Sequence, residues 1–99
     1  MIRVLSVVGT RPEGIKMAPV IAALARRADA VQQLICSTGQ HREMLAQVLD
    51  LFGIVPDVDL ALMQPGQTPT QVASRLLAAI EPLLRDWQPD WVLVQGDTT

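Results

Sequence analysis

Residues 2–18, IRVLSVVGTRPEGIKMA, decide the fold because a largely apolar run of strand length passes through a glycine into a helical pattern. Ile2 to Val8 has the length and composition of a strand that is buried on both faces of a parallel sheet. Gly9 supplies a turn. Thr10-Arg11-Pro12-Glu13 matches a capping box, in which Thr10 and Glu13 each accept a hydrogen bond from the other's amide.

The helix after this turn contains a proline. Apolar residues recur at helical spacing from Ile15 onward and predict a helix that continues to Arg27. Pro19 lies inside it, where a proline removes one backbone hydrogen bond and clashes with the preceding turn. The helix therefore either bends at Pro19 or begins near Ala18 after an irregular loop, and we favour the bent helix.

The rest of the chain alternates strands and helices. We predict strands at Val31 to Ser37, Val58 to Leu60 and Trp91 to Val94. One helix should run from Arg42 to a stop at Gly53. Another should begin at a second capping box, residues 68–71, and carry an apolar stripe to Trp87. This order predicts an α/β fold: a Rossmann-like parallel sheet of strand order 3-2-1-4 with flanking helices.

Composition excludes several classes of function. A net charge of −2 over 99 residues disfavours binding to nucleic acid or to acidic membranes. The single cysteine, Cys36, can form neither an internal disulfide nor a thiolate metal cage, and we interpret it as a small buried hydrophobe. The apolar run in the first residues is too short for a signal peptide and lacks its flanks, and there is no run of about 18 apolar residues. We therefore expect a soluble protein of a reducing cytoplasm.

Two loops are candidates for a ligand site. Ligands bind at the carboxyl ends of parallel strands where the strand order reverses, and the loops there are residues 9–16 and 96–99. The first carries Arg11 and Lys16 at a helix N-terminus, which favours an anion. The second carries Asp97, a candidate general acid or base. Ordinary turns and caps would also explain Gly9, Thr10 and Asp97, so the residues alone leave both interpretations open.

Other chemistries have weaker support. The first loop is neither a Walker loop nor a G-x-G-x-x-G fingerprint, so neither ATP nor NAD is indicated. His41 is the only histidine, which argues against a metal site and favours a helix-start or surface role. Its position after the second predicted strand keeps a binding role open.

Four segments resemble, in order and spacing, the N-terminal part of the non-hydrolysing UDP-N-acetylglucosamine 2-epimerases. They are VVGTRPEGIKMAPV, TGQHREMLAQVLDLFGIVPDVDL, MQPGQT and PDWVLVQGDTT, and they span essentially the whole chain. The resemblance implies two Rossmann-like domains in a glycosyltransferase-B-like arrangement with the active site between them. Residues 1–99 would then be part of the N-terminal domain, and the second, UDP-binding domain would be absent from this chain.

The resemblance also implies a reaction. Members interconvert UDP-GlcNAc and UDP-ManNAc by eliminating UDP across C1–C2, giving a 2-acetamidoglucal, and adding it back on the other face of C2, without a cofactor or metal. It further implies a cytoplasmic enzyme of cell-surface polysaccharide biosynthesis, homodimeric at full length, with no nucleic-acid or membrane partner. Because the later glutamates and histidine of the family lie outside this chain, we expect the isolated fragment to be inactive.

The family's site residues carry over by residue match. Arg11 and Lys16 correspond to active-site cations near the sugar and diphosphate, and with Gly9 and Thr10 they form the implied substrate-binding loop. Asp97 corresponds to an essential carboxylate for proton transfer at C2.

A second ligand segment is implied for some bacterial members. Gln40, His41 and Met44 correspond to residues that touch a regulatory UDP-GlcNAc there. Those members carry an arginine in the loop where this sequence has Gly66, and Gly14 stands where alanine is usual. Two alternatives from other classes remain: half of a nucleotide-sugar glycosyltransferase, and a non-catalytic α/β module.

Overall fold

The computed structural model describes residues 1–9, 11–39, 47, 49–62 and 66–95, with the backbone alone at residues 11 and 13. This part of the chain contains two long helices, α1 (Arg11–Ala25) and α2 (Pro69–Trp87). Its strands are β1 (Ile2–Val8), β2 (Val31–Ser37), β3 (Val58–Asp59) and β4 (Trp91–Val94). None of the described helices is long and apolar enough to cross a membrane.

The strands form one parallel sheet in the order β3-β2-β1-β4. This confirms the predicted α/β fold and the reversal of strand order between β1 and β4. Leu5, in the middle of β1, pairs with Leu34 of β2 and Val92 of β4. β3 is one residue shorter than predicted, since only Cys36 and Ser37 of β2 pair with it.

α1 runs without a break from Arg11 to Ala25, with Pro19 inside it. The alternative in which the helix begins near Ala18 is therefore wrong. Pro19 and Ile15 are both exposed, so water can reach the Ile15 carbonyl that lacks its usual helical donor. The helix ends two residues before the predicted Arg27, where the Val31 N–H donates to the Arg27 carbonyl at 2.8 Å and closes the turn into β2.

The two faces of the sheet carry separate apolar clusters. Alternate residues of β1 point to opposite faces, so Val8 packs with α1 whereas Leu5 and Val7 pack towards α2. The α1 face buries Met17, Ala18 and Ile21 with Ile35, Leu49 and Ile54. Cys36 is fully buried in the α2 face, which confirms its interpretation as a core residue.

α2 begins at the predicted capping box. The Gln71 N–H donates to the Thr68 hydroxyl at 3.2 Å, and the Thr68 N–H donates to the Gln71 side-chain oxygen at 2.9 Å. No residue of this helix is buried, however. Its last turns pack on the sheet through Ile80, Leu83, Leu84 and Trp87.

β4 is the outer strand on the β1 side of the described sheet, and its side chains are largely uncovered. Trp91 is 63% exposed and Val94 is 70% exposed. Within the described residues, the side of β4 away from β1 has no strand partner.

Part of two predicted features lies outside the described residues. The first capping box cannot be described, because Thr10 and the Glu13 side chain lie outside the described residues. Of the helix predicted to begin at Arg42, the structure describes residues 47 and 49–51. That helix ends before Gly53, as predicted. Gly53 has φ +67°, and the next N–H, from Ile54, donates to the Leu49 carbonyl at 2.9 Å.

Candidate functional site

The carboxyl ends of β1 and β4 lie side by side. Val7 pairs with Val94, so the chain leaves both strands at the same edge of the sheet. Gly9, the first residue after β1, is buried there. Thr10 and Asp97 lie outside the described residues, and the approach of Asp97 to Arg11 stays a prediction. The strand pairing on which that prediction depends is confirmed.

α1 begins immediately beyond this edge, at Arg11. A helix N-terminus leaves its first amides without intrahelical partners and carries the positive end of the helix dipole. Both features favour an anion such as a phosphate. The Arg11 side chain lies outside the described residues, so only the position of its backbone is established.

Lys16 lies on the side of α1 that faces away from the sheet. It is exposed, whereas Gly14, Met17 and Ala18 are buried. Side chains on a helix lean towards its N-terminus, so the Lys16 side chain is directed towards the end of α1 that adjoins Gly9. The structure thus has an exposed cation near the N-terminus of α1.

Small polar residues at the exit of β2 contribute to the same edge. Ser37 and Thr38 are buried. The Thr38 N–H donates to the Val8 carbonyl at 2.9 Å, and the Gly39 N–H donates to the Ser37 hydroxyl at 3.3 Å. Ser37 and Thr38 are not among the predicted site residues. The signal that could have identified them is the pair of short polar residues directly after an apolar strand.

The exit of β3 is tied to the exit of β2. The Leu60 N–H donates to the Ser37 carbonyl at 2.8 Å, and the Leu62 N–H donates to the Thr38 carbonyl at 2.9 Å. These bonds extend the contact between the two chains beyond the last residue of β3. A continuous row of backbone hydrogen bonds thus joins the ends of β3, β2 and β1.

The residues of the implied second ligand segment follow Gly39 in the chain. Gln40, His41 and Met44 all lie outside the described residues. Gly66 is described: it is exposed, has φ +75°, and a Cβ built there would have nothing within 4 Å.

The ionisation of Cys36 is shifted from that of an ordinary thiol. Burial, with a smaller contribution from the Asp59 carboxylate, raises the pKa of its thiol to about 11. The thiol stays protonated at neutral pH, and a protonated thiol is a poor nucleophile. Cys36 is therefore a packing residue of the sheet and not a catalytic one.

Comparison with known proteins identifies the family. The family model described as UDP-N-acetylglucosamine 2-epimerase matches residues 22–99. The chain belongs to the UDP-N-acetylglucosamine 2-epimerase family. It is 56% identical over 97 residues to the UDP-N-acetylglucosamine 2-epimerase of Escherichia coli K12, an alignment that covers 98% of this chain and 26% of that protein.

Solved structures of the family have the same fold as this chain. The Neisseria meningitidis UDP-GlcNAc 2-epimerase bound to UDP-GlcNAc matches with TM-score 0.90 and 47% identity, over 98% of this chain and 26% of that one. The Methanocaldococcus jannaschii enzyme in complex with UDP-GlcNAc and UDP matches with TM-score 0.88 and 30% identity, over 98% and 26%.

The resemblance inferred from the four sequence segments is confirmed by these matches. The chain spans about a quarter of the length of the curated relatives it matches. The relatives have a glycosyltransferase-B-like fold, and the sheet described here corresponds to part of its N-terminal domain.

Proposed function

We propose that the full-length protein to which these residues belong is a UDP-GlcNAc 2-epimerase, which interconverts UDP-GlcNAc and UDP-ManNAc. The observation that carries the proposal is the 56% identity to the Escherichia coli epimerase over 98% of this chain. The geometry of the sheet supports it, because the segments that carry the implied site residues leave β1 and β4 at one edge.

Arg11, Lys16 and the N-terminus of α1 are proposed to hold the diphosphate. When the bond between C1 and the diphosphate oxygen breaks, negative charge develops on the departing UDP. Fixed cations and helix amides stabilise such charge without reorganising during the reaction. Gly9 and Thr10 are proposed to contact the same ligand as parts of the substrate-binding loop.

Asp97 is proposed to transfer the proton at C2. In elimination the C2 proton goes to a base, the C1–O bond breaks, UDP leaves, and a C1–C2 double bond forms. In the reverse step UDP adds to C1 while a proton is delivered to the other face of C2, which inverts that carbon. A carboxylate in the segment that follows β4 in the chain is suited to the proton transfer on one of these faces.

Gln40, His41 and Met44 are proposed to contact a second, regulatory UDP-GlcNAc. Support comes from their place in the chain after Gly39, since Gly39 itself lies at the same edge of the sheet as Gly9. Gly66 provides no side chain to such a ligand, so any regulation would depend on the segment that begins at residue 40.

The remaining features of the proposal concern the whole protein. A second, UDP-binding domain would close the site opposite the carboxyl edge of this sheet, and the protein would act as a homodimer. UDP-ManNAc would serve the synthesis of cell-surface polysaccharide, from a cytoplasmic location. One buried free cysteine among the described residues is consistent with a reducing compartment.

The test is turnover of UDP-GlcNAc by the full-length protein in deuterated water. Elimination and re-addition predict UDP-ManNAc carrying deuterium at C2, detected by NMR and mass spectrometry, whereas the isolated 99-residue chain should give none. Product without solvent deuterium would overturn the proposed mechanism. Transfer of the sugar to an added acceptor, with no epimer formed, would instead support the glycosyltransferase alternative.

A further inference from the structure

Gly39, at the exit of β2, lies against the segment that leaves β3. Its φ is +79°, and a Cβ built there would be 2.8 Å from the Ala61 Cα and 2.9 Å from Asp59 Oδ1. The first of these neighbours is backbone, which cannot rotate away as a side chain can. Glycine is therefore required here both for its conformation and for the space it leaves.

The segment beneath Gly39 has an unusual conformation of its own. Ala61 has φ +52°, and its N–H donates to Asp59 Oδ1 at 2.9 Å. The next N–H, from Leu62, donates to the Thr38 carbonyl at 2.9 Å. A non-glycine residue in this conformation is strained and persists where its surroundings hold it in place. We refer to Thr38, Gly39, Asp59, Ala61 and Leu62 as the exit clamp.

The exit clamp is joined to the candidate ligand loop through Thr38. The Thr38 N–H donates to the carbonyl of Val8 at 2.9 Å, and Val8 directly precedes Gly9. On the other side, Gly39 directly precedes the segment that begins at residue 40. Thr38 and Gly39 thus connect the segment that begins at residue 40 with the start of the loop after β1.

We propose that Gly39 is a positioning residue for the nucleotide-sugar site, because the exit clamp sets the direction in which the chain leaves β2. This inference rests on the proposed function. The exit clamp reaches the substrate-binding loop through the bond from Thr38 to Val8. Displacing that loop weakens the hold on substrate outside the reacting bonds, which raises KM more than it lowers kcat. Loosening the exit clamp should therefore raise KM while kcat changes little.

The experiment measures both constants for UDP-GlcNAc epimerisation by the full-length protein. Gly39→Ala should raise KM by about fivefold or more while kcat changes by less than about threefold. Gly53→Ala is the matched control, since Gly53 has φ +67° but nothing within 4 Å of its Cβ position. It introduces similar backbone strain and should leave KM within about twofold of wild type.

Two further variants separate positioning from a folding defect. Adding Ala61→Gly to Gly39→Ala lets the strained segment move away from the new methyl group, and should return KM to within about twofold of wild type. Asp59→Ala removes the acceptor for the Ala61 N–H without adding an atom. It should raise KM by about twofold or more even if Gly39→Ala does not fold.

The inference is overturned if KM of Gly39→Ala stays within about twofold of wild type, or if Gly53→Ala raises it equally. If Gly39→Ala does not fold, an unchanged KM in Asp59→Ala overturns the inference.

If wild-type protein does not epimerise UDP-GlcNAc, the proposed function fails. In that case the Kd for UDP-GlcNAc, measured by calorimetric titration, replaces KM in the same comparisons between variants and wild type. If wild-type protein does not bind UDP-GlcNAc at all, both the proposed function and the role of Gly39 are overturned.

Discussion

Asp57 and Ile35 exchange two hydrogen bonds. The Ile35 N–H donates to the Asp57 carboxylate at 2.8 Å, and the Asp57 N–H donates to the Ile35 carbonyl at 2.8 Å. Asp90 and Arg3 form the same pair of bonds, at 2.7 and 2.8 Å. Each aspartate follows a proline and directly precedes an outer strand, β3 or β4. A Pro-Asp pair thus begins both outer strands and fixes each against its inner neighbour.

Replacing Asp57 should destabilise the fold. Asp57→Ala leaves the N–H of the buried Ile35 without its acceptor, and should lower the free energy of unfolding by about 1–3 kcal/mol in urea unfolding. Asp57→Asn keeps an acceptor oxygen and should lose less. Asp90→Ala should also lose less, because water can reach the exposed Arg3. Equal losses for Asp57→Ala and Asp90→Ala would contradict this explanation.

A glycine at the end of α2 should stabilise the protein. Gln88, the C-cap residue, is exposed and has φ +52° and ψ +65°, a left-handed conformation that glycine adopts without strain. Gln88→Gly should raise the free energy of unfolding by about 0.5–1 kcal/mol, measured by urea unfolding. Gln88→Ala is the control: it removes the same side chain but keeps a Cβ, so a gain of the same size in this variant would exclude relief of backbone strain.

The bounds of β1, β2 and β4 agree with the sequence predictions, because these strands are bounded by residues that favour turns, such as Gly9, Gly39 and Pro89. The exposure of α2 could not be predicted. An apolar stripe shows which residues a helix can bury, whereas the extent of burial depends on what lies opposite. The contact of Gly39 with Ala61 could not be predicted either, since it joins two strand exits far apart in the chain.

Titration of Cys36 should make stability depend on pH in alkaline solution. Burial raises the pKa of this thiol from 9.0 to about 11, so the folded state holds the proton more tightly than the unfolded state does. The resulting stability is fully present below pH 9 and is lost as pH rises towards 11.

The comparison with Cys36→Ala isolates this effect from other alkaline titrations. The difference in free energy of unfolding between wild type and Cys36→Ala should be constant below about pH 8.5 and fall by at most about 3 kcal/mol at higher pH. Urea unfolding of both proteins at about pH 7, 8, 9 and 10 measures this difference in free energy. A difference that does not change with pH, or rapid alkylation of the folded protein near neutral pH, would contradict burial of the thiol.

Removing the charge of Lys16 should impair catalysis without loosening the fold. Lys16 is exposed on α1, so Lys16→Met leaves the apolar packing against the sheet intact and should change the free energy of unfolding by less than about 0.5 kcal/mol. In the full-length protein it should lower kcat/KM for UDP-GlcNAc by about tenfold or more, because charge on the departing diphosphate loses a fixed cation. Arg75→Met removes the same charge from an exposed position on α2, which packs on the other face of the sheet. Equal losses of kcat/KM in both variants would show that net charge, and not the position of Lys16, is responsible.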